Sequence, residues 1–172
     1  NESKLTLTQL TDIFLTTESH LFRRTMCDLP TNPLNKIFLM LHREIVRYDG
    51  TEDDYVEKFK YALLSKKERA RFPDDVEFKV AFEERPVYLM NSKNKIYILE
   101  RFENFGTSED KDVYRHCDDG TYSIEHIMPQ HLTPVWQKEL GDDYEKIHEE
   151  WLHRMANLTL TAYNSKYNNS SF

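Results

Sequence analysis

"TYSIEHIMPQ", Thr121 to Gln130, decides how the last third of the chain is read. It has the look of a short apolar strand running into Met128-Pro129, with a carboxylate and an imidazole, Glu125 and His126, side by side near its middle. Adjacent residues of a strand point to opposite faces, so the pair shares one face only where the strand ends or bulges. Pro129 cannot donate to a ladder and marks an early end.

Working downstream, "TPVWQKEL" (133–140) carries a helix start, with Thr133 as cap and Pro134 at the first helical position. "DDYEKIHEEWLHRM" (142–155) predicts a second helix with Tyr144, Ile147, Trp151 and Met155 along one side. "NLTLTAY" (157–163) alternates Leu158 and Leu160 with Thr159 and Thr161, the pattern of a half-buried strand. "NSKYNNSSF" (164–172) reads as the polar start of a further helix.

Upstream, apolar residues recur at helical spacing. "LTQLTDIFLTTESHLFRRTMC" (7–27) offers Leu7, Leu10, Ile13, Phe14 and Leu21. "NPLNKIFLMLHREIVRY" (32–48) offers Leu34, Ile37, Phe38, Leu41 and Ile45, with Pro33 in the first turn. "TEDDYVEKFKYALLSKK" (51–67) opens on Thr51 and Asp54 as a capping box and continues with Tyr55, Phe59 and Leu63. A helix capped by Asp follows in 73–90 and ends near Pro86; another in 92–106 shows Ile98, Phe102 and Phe105 on one side and stops at Gly106. These helices predict a bundle. The polar stretch "TSEDKDVYRHCDDG" (107–120) reads as a linker or long loop.

The predicted fold class is therefore α+β, mostly α: a helical subdomain over 1–110, then a smaller strand-helix-strand part over 111–172. The 4 glycines and 6 prolines leave few sharp turns, in keeping with helices. A net charge of -7 argues against generic nucleic-acid binding, since phosphate affinity comes from Lys and Arg. Cys27 and Cys117 have neither metal-ligand spacing nor a disulfide framework, and read as thiols of a reducing compartment. No apolar run reaches membrane-span length. The chain opens on Asn1 rather than Met and is read as a piece of a longer protein.

Chemistry-bearing residues collect in the last third: Glu125 and His126, Asn157 at the mouth of the second strand, and Asn164 and Asn168 at the final helix start. A neutral imidazole accepts a proton from water. Asn carbonyl and carboxylate oxygens are hard ligands suited to Mg²⁺. A divalent ion beside a general base suits phosphodiester hydrolysis. The plainer alternative is that Asn164 only caps a helix and Asn157 only turns the chain.

The run "IEHIMPQ…W…H…ANLTLTAYNSKYNN" resembles the HNH branch of the ββα-metal (His-Me) finger nucleases, and more closely the C-terminal domain of GmrSD-like type IV restriction enzymes. The resemblance covers about residues 121–172. It implies a ββα-metal finger over 111–172, cut within its last helix, with His126 as general base and Asn157 bracing the loop that holds it. It implies that Asn164 helps bind Mg²⁺ or Mn²⁺, with Asn168 in reserve. Glu125 stands where many such enzymes have an Asp ligand; it is one methylene longer, so it ligates directly or through water. The paired CxxC zinc knuckle of many relatives is missing, so packing of Trp136, Trp151, Leu158 and Leu160 is expected to hold the finger. The resemblance further implies DNA as partner, with modified phage DNA as a target, a ParB/Srx-like nucleotide-binding domain elsewhere in the longer protein, and the bacterial cytoplasm as location. A helical interaction or regulatory module with a finger that no longer cleaves is the other reading, favoured by the acidic charge and by Glu at 125.

Three further features of the sequence bear on the site. "HEEWLH" (148–153) has one residue too many for a helical zinc motif; at about 100° per residue its two histidines lie about 140° apart. His131 reads as a loop residue or a substrate contact, and Lys166 and Lys138 as possible phosphate contacts. The basic cluster "KKERARF" (66–72) is either a solvated helix end or a phosphate-contacting patch.

Overall fold

The computed structural model describes residues 5–162. The chain divides into two compact units, Asn1–Phe82 and Glu83–Phe172.

Unit 1 is helical. Helix α1 (Leu7–Met26) begins with a complete capping box: Thr6 Oγ1 accepts from the Gln9 amide and Gln9 Oε1 accepts from the Thr6 amide. Helix α2 (Asn32–Asp49) has Pro33 in its first turn and ends at Gly50, whose φ of 81° places it in the left-handed region that glycine enters without strain. Helix α3 (Tyr55–Leu64) packs against both. The core joins Ile37, Leu41 and Ile45 of α2 to Phe59, Ala62 and Leu63 of α3. Burial of each larger side chain contributes about 1.5–3 kcal/mol. Helix α4 (Asp75–Glu84) is capped by Asp74, which accepts the Glu77 amide at 2.8 Å.

Several local expectations change in unit 1. Much of the α1 stripe is outward: Leu7 and Phe14 are exposed, Ile13 packs against the core, and the buried residues of that helix are His20, Arg24 and Met26. Thr51 and Asp54 form no capping box. Asp54 sits at φ 53° with no side-chain cap bond, while Thr51 and Asp49 together receive the buried Lys58 ammonium, the Asp49 contact being 2.6 Å. A buried cation needs this enclosure more than the helix needs a cap. In the basic cluster, Lys66 pairs with Glu44 and Arg71 with Glu77, so two of its charges are already neutralised within the fold.

Unit 2 opens with a 3-10 turn at Val87–Leu89 and helix α5 (Ser92–Glu103), capped by Asn91. The stretch expected as a loop contains helix α6 (Val113–Asp118). Asp112 caps it by accepting the Arg115 amide, and Val113 is fully buried. A polar run with one cap and one anchor suffices for such a short helix. Because α5 packs on α6, it belongs with the second unit, and the units part at 82/83 instead of the 110/111 division read from composition.

Strand β1 (Ser123–His126) then pairs antiparallel with β2 (Leu158–Thr161), in the register Ser123 with Thr161, Ile124 with Leu160, Glu125 with Thr159 and His126 with Leu158. Between them lie helix α7 (Pro134–Leu140), capped by Thr133, and helix α8 (Tyr144–Trp151), which pack on each other. A 3-10 turn, Met155–Asn157, leads into β2. Leu158 is buried as expected, but Trp151 is exposed and lies against the Arg154 guanidinium, 4.6 Å from the ring centroid. Phe102 and Phe105 of the α5 region are also exposed, and Leu99 takes the buried place beside Ile98. The architecture is α+β and mostly α. Among the described residues no helix is long and apolar enough to cross a membrane.

Candidate active site

Strand β1 ends at His126, and what happens next depends on Asn157. The Met128 amide donates to Asn157 Oδ1 at 2.6 Å, Asn157 Nδ2 donates to the carbonyls of Met128 (3.1 Å) and Leu152 (2.9 Å), and the Ile127 amide donates to the Asn157 carbonyl at 2.9 Å. The side chain is buried and uses three of the four hydrogen bonds an amide can make. It ties the exit of β1 to the end of the helical excursion. Pro129 follows, and its carbonyl accepts from His148 Nε2 at 2.9 Å.

His126 stands at the centre of a ring cluster. Its Nε2 lies 3.4 Å from Nδ1 of His153, and its Nδ1 lies 3.3 Å from the amide nitrogen of Gln130. The Tyr88 ring packs on it with centroids 4.2 Å apart. Tyr88 also stacks on His153, at 5.5 Å and 10° between planes, and donates its backbone N–H to the His153 carbonyl at 3.1 Å. Lys95 closes the far side: its ammonium donates to the Tyr88 carbonyl at 2.9 Å and sits 4.6 Å from the Tyr88 ring centroid.

Both contacts of the His126 ring are met when Nδ1 turns its lone pair to the Gln130 amide and Nε2 turns its proton to His153 Nδ1. Burial, and then the neighbouring His153, His148 and Lys95, hold the His126 pKa below its ordinary value. The ring is therefore neutral at neutral pH, the form that accepts a proton.

Glu125 lies apart from this cluster. Its Oε1 accepts the Ser123 hydroxyl at 2.9 Å, two positions back on the same side of the strand, and it faces Thr159 in the register. Alternation puts that side opposite His126. Oε2 takes no hydrogen bond among the described residues, and a carboxylate oxygen of this kind fits a hard divalent ion. Asn164, Lys166 and Asn168 lie outside the described residues. Among the described residues there is no group of three or more His, Cys, Asp and Glu placed to hold a metal. His131 is exposed just beyond the turn, and so is Lys138. Neither cysteine forms a disulfide, and burial pushes the Cys117 thiol upward, away from the reactive thiolate.

Sequence reasoning passed over Tyr88, Lys95, Gln130, His148 and His153 as parts of one site. Gln130 lies inside the opening motif, four positions after His126. The spacing of His148 and His153 speaks only to a zinc motif, which it fails; in the fold one holds a turn and the other meets His126. Tyr88 and Lys95 carry no local signal, because only the packing of α5 and its preceding turn brings them to β1.

A two-stranded sheet enclosing a helical excursion, with a neutral imidazole at the strand end and a stitched asparagine behind it, defines a small α+β unit. Residues 72–172 match the family described as GmrSD restriction endonucleases, C-terminal domain, and the chain belongs to that family. The match takes in all of unit 2 and connects the chain to nuclease function of the restriction-endonuclease kind. No curated protein and no solved structure matches the chain.

Proposed function

We propose that unit 2 is an HNH-type, His-Me-finger endonuclease domain that hydrolyses DNA phosphodiester bonds, within a bacterial restriction or phage-defence protein of the cytoplasm. The observation that carries the reading is His126: a neutral imidazole at the end of β1, with one nitrogen engaged by His153 and the other facing the partly exposed Gln130 side chain.

A water replaces the Gln130 amide at His126 Nδ1 and gives its proton to that nitrogen. Its oxygen attacks phosphorus in line as the bond to the 3′ oxygen breaks, and the leaving oxygen takes a proton from solvent. Asn157 keeps the base in place by fixing the chain on both sides of the excursion. Glu125, directly or through water, with the side-chain oxygens of Asn164 and Asn168, would hold Mg²⁺ or Mn²⁺. When bound, the ion stabilises the charge that builds on the phosphate and the leaving oxygen. His131 and Lys166 contact the nucleic acid. A nucleotide-binding domain of the ParB/Srx-like kind, elsewhere in the longer protein or complex, would gate cleavage, and modified phage DNA is a fitting target. Nicking of supercoiled plasmid by the chain with Mg²⁺ or Mn²⁺, lost in His126→Ala, is the test.

A second reading is favoured by one observation. Glu125 and His126 occupy opposite sides of β1, as in a finger that keeps its shape without assembling a metal beside its base. The domain would then be an inactive interaction or regulatory module. A divalent ion that binds only the native state raises thermal stability. No shift with any divalent metal would support this reading, whereas a shift removed by Asn164→Ala supports the nuclease.

A further inference from the structure

We propose that His153 is the positioning residue for the His126 base: its Nδ1 accepts the His126 Nε2–H and so presents the Nδ1 lone pair to the substrate side. The inference rests on the nuclease reading for its catalytic consequence, but its structural claim stands on geometry alone.

Four observations converge. First, the ring nitrogens meet at 3.4 Å, the only polar contact of His126 Nε2 among the described residues. Second, His153 is itself immobilised. Its carbonyl receives the Tyr88 N–H, and its ring stacks on Tyr88 nearly face to face. Third, Tyr88 is anchored in turn by the Lys95 ammonium on its carbonyl and by fully buried Val87 beside it. Fourth, one side chain sets the spacing of the two histidines. Asn157 grips Met128, two residues after His126, and Leu152, one residue before His153. A base needs a fixed tautomer and a fixed direction, and in triad-like sites a third group supplies both. Here an imidazole on the loop after α8 stands in that place. A carboxylate there would raise the proton affinity of the base; an imidazole nitrogen accepting the Nε2–H orients it without adding negative charge next to the phosphate.

The test compares His153→Leu and His153→Asn in the full chain. Asn places its Oδ1 near the position of the imidazole Nδ1, so it keeps the acceptor. Leu removes it. Imidazole ¹H–¹⁵N correlation spectra read the arrangement without reference to cleavage. The His126 Nε2–H signal should be protected from solvent exchange in the wild type and in His153→Asn, and lost in His153→Leu. On plasmid, His153→Leu should lower kcat about tenfold or more with KM little changed, within the ~10²–10⁴ that general-base catalysis supplies. His153→Asn should recover most of it. A wild-type His126 that carries its proton on Nδ1 overturns the proposal outright, whether or not either variant folds. So does an Nε2–H signal that persists unchanged in folded His153→Leu. If the wild type never cuts DNA while the spectra behave as stated, the nuclease reading fails and the positioning of His126 stands.

Discussion

The Asn157 side chain closes a ring of two hydrogen bonds with the main chain of Met128, accepting its N–H at 2.6 Å and donating to its carbonyl at 3.1 Å. Met128 itself is buried, so neither main-chain group has water as an alternative partner.

Removing that side chain leaves a buried donor unmet. Asn157→Ala should destabilise unit 2 by about 2–4 kcal/mol, the sum expected for several buried hydrogen bonds lost together with desolvated groups left behind. Urea unfolding followed by tryptophan fluorescence measures it, since both tryptophans lie in this unit. Asn157→Asp should do no better: its second oxygen would face the carbonyls of Met128 and Leu152 in place of a donor.

Acid sensitivity should arise in unit 1. His20 is fully buried against the Phe72 ring, with neither ring nitrogen hydrogen-bonded. Burial first, and the Arg24 charge second, hold its pKa at about 4 against an ordinary 6.5. As pH falls below about 6.5 the unfolded chain takes up a proton there, while the folded chain does so only near 4. The neutral His20 contribution is therefore whole above pH 6.5 and is lost progressively toward pH 4, on the order of 3 kcal/mol. Urea midpoints on either side of that window should differ in the wild type, and the difference should shrink in His20→Leu.

Glu125→Gln separates a ligand from a strand residue. The amide oxygen still accepts the Ser123 hydroxyl, so the melting temperature without metal should change little. Stabilisation by Mg²⁺ or Mn²⁺ should fall, because the charge is gone. A metal shift equal to that of the wild type would place Glu125 outside the ion's shell.

Much of this fold was legible in the sequence, and the misses have physical causes. Helix α2 was clear because Ile37, Leu41 and Ile45 repeat at the helical period and all three are buried. Both strands and both enclosed helices were readable from Thr133-Pro134, from the alternation in 158–161 and from Pro129. Helix α6 was hidden because it rests on one cap and one buried valine within a charged stretch. In α1 periodicity showed the wrong face: Leu7 and Phe14 keep helical spacing yet are exposed, while the inward side uses His20 and Arg24, the latter donating to the carbonyls of Arg71 and Pro30. Within the site, His126 and Asn157 stood out because each begins or ends a strand next to a recognisable motif. His153, Tyr88 and Lys95 did not, because their meeting with His126 depends on tertiary packing that no spacing encodes.

The central claim is that His126 activates water for phosphodiester hydrolysis. Its most direct measurement is the rate of supercoiled-plasmid nicking by the chain with Mg²⁺ or Mn²⁺, wild type against His126→Ala, with circular dichroism to confirm that both are folded. The account predicts metal-dependent nicking in the wild type and a rate at least ~10² lower in His126→Ala, the share that general-base catalysis supplies. Undiminished nicking by folded His126→Ala would contradict it.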